Sequence, residues 1–147
     1  AAHGTFAWAD DAEPFLAAAA ASLVEVGLSP QSAELVARLH GTDHRKIVEL
    51  VSDDPALANP IAGSGDVEAQ VIVAVVDEAA RTLADIIDRR LVLGTVSRVP
   101  EAAIRRIAHI AAPLLGWDES RRDLEIRAEL DRRAALDSHW RVSPARA

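Results

Sequence analysis

Apolar residues recur every three to four positions along most of the chain, which is the spacing of one face of an α-helix. Glycines at positions 27, 41 and 116 interrupt the pattern, as is typical of helix C-termini. The pattern predicts helices that begin near Pro14, Ser29–Pro30, Thr42 or Asp43, Asp66, Thr82, Pro100 and Asp118. We therefore expect an all-α fold, a six- to seven-helix bundle.

Two stretches of this pattern carry more specific expectations. Leu91 to Val99 is apolar and β-branched, which favours a short extended segment between two helices. In the last helix, the spacing places Leu124, Ala128 and Ala135 on the inward face, flanked by Ile126 and Leu130.

Charged residues continue the apolar faces of two consecutive helices. Glu78 follows the face of the Val67–Val75 helix, near its C-terminus, where the helix dipole disfavours an anion. Arg90 follows the face of the Leu83–Ile87 helix. We expect Glu78 and Arg90 to form a buried ion pair across the turn at Ala80–Arg81.

The start of the second of these helices carries its own signals. Thr82 followed by Asp85 is a variant of the capping box, and Asp85 and Arg89 form an acid-before-base pair four residues apart. The candidate site therefore consists of structural or interdomain ion pairs formed by Glu78, Asp85, Arg89 and Arg90.

The motif Glu-x-Ala at Glu78–Ala80, followed by a helix with Asp-x-x-x-Arg-Arg at Asp85–Arg90, resembles the C-terminal helical domain of FAD-dependent glycerol-3-phosphate dehydrogenases and oxidases. Gly27–Pro30 leading into Glu34–Gly41, and the turn Pro113–Asp118, occur in the same order as in that family. The resemblance covers roughly residues 26–141. His40 departs from the family pattern, which usually has an aromatic residue there, and Val92–Leu93 replaces its common polar residues.

The resemblance implies a division of the chain into three parts: a linker or the tail of a preceding domain over residues 1–13, a helical C-terminal cap domain over 14–141, and a disordered tail over 142–147. The chain contains no methionine, and we expect it to be a piece of a longer protein or a processed or engineered form.

The resemblance also implies a function. Members of the family oxidise sn-glycerol 3-phosphate to dihydroxyacetone phosphate and pass electrons through FAD to a quinone or oxygen. We expect this chain to be an accessory domain that serves packing and interdomain docking, with Arg89 or Arg90 reaching the flavin and substrate domain of the same polypeptide. FAD is expected in the full-length protein and not in this chain, which lacks the dinucleotide-binding motif G-x-G-x-x-G and should be inactive alone.

Location and assembly follow from the same resemblance. We expect the protein in the cytoplasm or at the inner face of the membrane. A homodimer and peripheral membrane association of the parent protein both stay open.

Composition narrows the function classes. The net charge of −7 opposes nucleic-acid binding, which needs a basic face, and we expect no nucleic-acid partner. The absence of cysteine excludes disulfides and thiolate metal sites. The longest apolar run, Phe15–Leu23, is shorter than the ~20 residues of a membrane-spanning helix.

Other polar clusters favour structural interpretations. His40 and His44 have the spacing of zinc ligands on a helix, but Gly41 between them predicts a turn with solvated histidines and no metal. Gly63–Asp66 precedes a helix and is interpreted as a flexible loop with an Asp cap rather than an anion site. Solvated, salt-bridged surfaces are expected around His109 and around the basic pairs Arg105–Arg106, Arg121–Arg122 and Arg132–Arg133.

Two alternative functions remain from the sequence. One is a free-standing helical interaction or dimerisation module. The other is a helix-turn-helix regulator formed by Ser29–Leu39 and Thr42–Val51, which is poorly equipped for phosphate contacts because acidic residues flank its few basic ones.

Overall fold

The computed structural model describes residues 12–95 and 98–141, with the side chains of the last helix described up to Ser138. Most of the expected linker over 1–13 and the whole expected tail over 142–147 lie outside this range. The chain divides into two compact units, Ala1–Asn59 and Pro60–Ala147.

The first unit is helical in its described part. Its helices are α1 (Ala12–Glu25), α2 (Pro30–His40) and α3 (His44–Asp53), with 3₁₀ turns at Gly41–Asp43 and Pro55–Ala58. All three helices pack against one another. The buried apolar side chains include Leu23, Leu28, Val36, Ile47 and Val51.

The helix ends of the first unit follow from local sequence. Ser29 is the N-cap of α2, because its hydroxyl accepts a hydrogen bond from the Ser32 N–H at 3.1 Å, and Pro30 occupies the first turn. Gly27 has a φ of 113°, and the N–H of Leu28 donates to the Leu23 carbonyl, the pattern that ends a helix at a glycine. Both predicted boundaries are confirmed.

The second unit is also helical in its described part. Its helices are α4 (Glu68–Val76), α5 (Leu83–Arg89), α6 (Glu101–Leu115) and α7 (Glu119–Arg141). Helix α6 packs against α4, α5 and α7, and α5 also packs against α4 and α7. Apolar side chains from α4, α5 and α6 form one core, which includes Val71, Leu83, Ile86, Ile104 and Ile107.

The described residues contain no strand, only one isolated β-bridge between Pro60 and Val67. The predicted all-α fold is confirmed. No helix within the described ranges has both the length and the apolar character needed to cross a membrane.

The extended segment expected at Leu91 to Val99 is wrong for Val92–Thr95. Residues Val92–Thr95 form a 3₁₀ turn that packs against α5, and residues 96 and 97 lie outside the described range. Gly94 permits this packing, because a Cβ atom there would lie 2.2 Å from the Ile87 carbonyl oxygen. The apolar, β-branched composition of the segment reflects burial in the turn rather than an extended backbone.

The inward face predicted for α7 is also wrong. Leu124 is 55% exposed, and Ala128 and Ala135 are exposed as well. The buried residues are Ile126 and the carboxylate-bearing Glu129. Ile126 and the partly buried Leu130, predicted as flanking residues, pack against the core, and Glu129 pairs with Arg132 and Arg133.

Candidate functional site

A tight connection joins α4 to α5 at the segment that carries the family motif. Ala79 adopts a left-handed conformation with a φ of 57°, which reverses the chain after α4. The N–H of Ala80 then donates to the Ala74 carbonyl at 2.9 Å, and Ala80 is buried. The motif residues around this turn therefore have fixed backbone positions.

The predicted capping box at the start of α5 is confirmed. The Thr82 hydroxyl accepts a hydrogen bond from the Asp85 N–H at 3.1 Å, and the Asp85 carboxylate accepts from the N–H groups of Thr82 and Arg81 at 3.2 Å. The pKa of Asp85 lies below its ordinary value, chiefly because of the hydrogen bond with the Thr82 side chain. Burial acts in the opposite direction and raises the pKa, whereas the backbone hydrogen bonds from Arg81 and Thr82 lower it further.

Glu78 and Arg90 contact each other across this connection. Arg90 Nε lies 3.2 Å from Glu78 Oε2, and Arg90 Nη2 donates to the Glu78 carbonyl oxygen at 3.3 Å. The expected burial of the pair is wrong, because the Arg90 side chain is 40% exposed and the Glu78 side chain 33% exposed. Helical spacing fails here because Glu78 lies two residues beyond the end of α4 at Val76 and Arg90 is the C-cap of α5, so neither side chain continues the helical face.

Arg89 points into solvent. Its side chain is 74% exposed and its closest acidic partner is Asp85, at 3.8 Å. The two neighbouring arginines therefore differ: Arg90 holds the connection between α4 and α5, whereas Arg89 presents an exposed guanidinium beside it.

Asp66 has a structural role that its sequence position did not indicate. It was expected to cap α4, but the helix begins at Glu68 after Val67, whose N–H donates to the Gln70 side chain at 2.8 Å. Asp66 is instead fully buried. Its carboxylate accepts hydrogen bonds from the N–H groups of Val92 and Leu93, at 3.1 and 2.7 Å, and from the Ser64 hydroxyl at 2.8 Å.

The fixed position of Asp66 changes the interpretation of the preceding loop. Asp66 satisfies the first N–H groups of the 3₁₀ turn at Val92–Thr95, so the polar groups of Ser64 and Asp66 are used within the protein. No local signal could have predicted these bonds, because the partners lie 26 and 27 residues apart in the sequence.

Three arginines of the basic pairs form ion pairs between helices. Arg106 on α6 binds the buried Glu68 of α4 through two hydrogen bonds of 2.7 and 2.6 Å. On α7, Arg132 and Arg133 both bind the buried Glu129 and both reach Asp88 on α5.

The electrostatics of these pairs agree with a structural role. Hydrogen bonding to Glu129 raises the pKa of Arg132 above its ordinary value. Arg106 is 53% exposed and salt-bridged, as expected, whereas the expectation of a solvated surface is wrong for Arg132 and Arg133, which are 35% and 15% exposed.

Arg105 and Arg121 match the expected surface, whereas Arg122 is only 22% exposed. Arg105 pairs with Glu101, and Arg121 pairs with Glu125, both four residues apart on one helix and both at 2.6 Å. His109 is exposed, and its Nδ1 lies 3.1 Å from the Arg105 carbonyl oxygen.

The turn expected between His40 and His44 is present as the 3₁₀ turn Gly41–Asp43, but His44 is not solvated. His44 is buried, its Nδ1 lies 2.7 Å from the Gly41 carbonyl oxygen, and its ring meets Phe15 edge-on with centroids 5.9 Å apart. His44 thus stabilises the start of α3. The described residues contain no group of three or more side chains arranged to hold a metal ion.

Comparison with known proteins identifies the family. A family model described as the C-terminal domain of alpha-glycerophosphate oxidase matches residues 7–122, which is well over half of the chain. No curated protein and no solved structure matches the chain. The matched region includes α1 to α6 and the whole connection that carries Glu78, Asp85, Arg89 and Arg90. The chain therefore belongs to the family of C-terminal domains of alpha-glycerophosphate oxidase.

Proposed function

We propose that this chain is the accessory C-terminal domain of an FAD-dependent sn-glycerol-3-phosphate oxidase or dehydrogenase, and that it docks on the flavin and substrate domain of the same polypeptide. The observation that carries the proposal is the family match over residues 7–122. The oxidation of glycerol 3-phosphate to dihydroxyacetone phosphate takes place on the other domain, which binds FAD, and the electrons pass to a quinone or oxygen.

The pattern of ion pairs supports a packing role for the chain itself. The buried carboxylates Asp66, Glu68 and Glu129 all bind partners within the second unit, so they hold its helices together. Such groups are poor candidates for acid–base chemistry, because their hydrogen-bonding capacity is used for structure.

The same pattern assigns different roles to the two motif arginines. Arg90 stabilises the α4–α5 connection, because it binds both the side chain and the backbone carbonyl of Glu78. Arg89 is the docking residue, because its guanidinium is exposed and its pair with Asp85 is long. An arginine in this position suits the recognition of a carboxylate on the flavin domain.

The test uses the full-length enzyme and compares Arg89→Ala with Arg105→Ala. Arg105 is the matched control, since it is also an exposed arginine paired with an acid four residues earlier. We expect Arg89→Ala to lower kcat/KM for glycerol 3-phosphate roughly tenfold or more, which corresponds to the loss of one charge-assisted hydrogen bond. Arg105→Ala should leave kcat/KM unchanged. Equal effects of the two substitutions would contradict the docking role of Arg89.

Neither alternative from the sequence gains support. In the proposed helix-turn-helix, Lys46 lies 3.9 Å from Asp43, and the net charge of the chain is −7. A free-standing interaction module differs from the proposal in having no flavin domain, so the flavin content of the protein made from the full reading frame separates the two.

A further inference from the structure

Two different kinds of contact hold α7 along its length. Up to Leu130, apolar side chains fix the helix, since Ile126 is buried and Leu130 packs against the core of the second unit. Beyond Leu130, no described side chain of α7 is buried, and Ala134, Ala135 and Leu136 are all exposed. The burial of apolar surface, which is the main stabilising force in folding, therefore ends at about the midpoint of α7.

A single carboxylate on another helix takes the place of these apolar contacts. Asp88, in the last turn of α5, pairs with Arg132 at 2.6 Å and also with Arg133. Glu129, whose side chain is only 3% exposed, pairs with the same two arginines from within α7, so the four charged groups form one cluster. Among the described residues, Asp88 is the one acid outside α7 that forms an ion pair with this helix beyond Leu130.

A helix end that is held only by ion pairs can open separately from the rest of the fold. An isolated helix of about ten residues is marginally stable in water, so the end of α7 needs its contact with α5 to stay ordered. Regions with few buried apolar contacts open at a lower free energy than the core. The side chains of Asp88 and Arg132 are each about one-third exposed, so dissolved salt screens their attraction.

We propose that residues 131–141 of α7 form a strap that closes on α5 through Asp88, and that this strap opens at high ionic strength while the rest of the second unit stays folded. The closed strap lies against the turn of α5 that carries Arg89. An open strap leaves the Asp88 carboxylate, directly before Arg89, without its two guanidinium partners. Ionic strength therefore changes the charge beside Arg89. The family match ends at residue 122, so the strap lies beyond the matched region, and the inference does not depend on the docking role of Arg89.

The experiment is amide hydrogen exchange of the 147-residue chain, resolved by residue, in about 0.05 M and about 1 M sodium chloride. We expect the strap amides to exchange roughly fivefold faster or more at the higher concentration, while the amides of α6 keep their protection. Asp88→Asn should give the same fast exchange of the strap at the lower concentration, and added salt should then have little further effect. Helix α6 is the internal reference for opening of the whole unit.

The matched control is Glu125→Gln, which removes a carboxylate of α7 that pairs with Arg121 at 2.6 Å. This variant should leave the exchange of the strap unchanged, because the Arg121–Glu125 pair lies within α7 and connects it to no other helix. Strap amides that exchange equally fast at both salt concentrations, or that keep their protection in Asp88→Asn, would overturn the proposal. So would an equal acceleration in α6, which would show that the whole unit opens together, or an equal loss of strap protection in Glu125→Gln.

Discussion

Individual charged residues in this chain divide into those that hold helices together and those that face solvent, and sequence position alone does not separate them. Glu78 falls on an extrapolated apolar face and is one-third exposed, whereas Asp66 falls in a glycine-rich loop and is fully buried. Burial of a carboxylate depends on donors that the fold brings near it. For Asp66 these donors are the backbone N–H groups of residues more than 25 positions away.

The buried carboxylate of Asp66 should be essential for stability. Asp66→Ala leaves two backbone N–H groups without an acceptor, and each costs about 1–3 kcal/mol, so we expect a loss of about 2–6 kcal/mol in the free energy of unfolding. Asp54→Ala is the control: Asp54 also accepts from a backbone N–H, that of Ala56 at 3.0 Å, but it is exposed. The control should cost about 1 kcal/mol. Urea denaturation measures both, and equal losses would refute the anchoring role of Asp66.

The ion pair between Glu78 and Arg90 should contribute little. Because both side chains are at least one-third exposed, solvent screens their attraction, and we expect Glu78→Gln and Arg90→Ala each to cost at most about 1 kcal/mol. The coupling energy from the double-mutant cycle should fall in the same range. A loss of 3–5 kcal/mol for either substitution, the typical cost of breaking a buried pair, would show that the pair is buried in solution.

At the scale of the elements, the sequence predicted those helix boundaries that depend on contacts between neighbouring residues. Ser29 and Thr82 cap their helices as their sequences indicate, because an N-cap needs only residues two or three positions away. The 3₁₀ turn at Val92–Thr95 and the orientation of α7 were not predictable in this way. The turn depends on Asp66 and the helix on Asp88, both distant in the sequence.

The packing of the 3₁₀ turn on α5 should be sensitive to one methyl group. Gly94→Ala would place a Cβ 2.2 Å from the Ile87 carbonyl oxygen and 2.7 Å from the Asp88 Cα, both backbone atoms of α5. We expect a loss of about 3 kcal/mol or more in the free energy of unfolding. Thr95→Ala, next in the chain, removes only an exposed side-chain hydrogen bond and should cost about 1 kcal/mol or less. A Gly94→Ala variant as stable as its control would contradict this packing.

At the scale of the whole molecule, helical periodicity was sufficient for the fold class, and the order of short motifs was sufficient for the family. The resemblance was expected over roughly residues 26–141, while the family match covers 7–122. Periodicity did not predict the division into two units at Asn59, because the pattern of buried residues looks the same on both sides of that boundary. The docking that we propose depends on the surface around Arg89, which a sequence pattern describes only as exposed charge.

The central claim is that this domain serves a flavoenzyme without binding the flavin itself. The most direct measurement compares the protein made from the full reading frame with the 147-residue chain, for flavin absorbance and for oxidation of glycerol 3-phosphate with added FAD. We predict that the longer protein carries FAD and is active, while the chain alone is colourless and inactive. Stoichiometric FAD binding with turnover by the chain alone, or a full-length protein without flavin, would contradict the account.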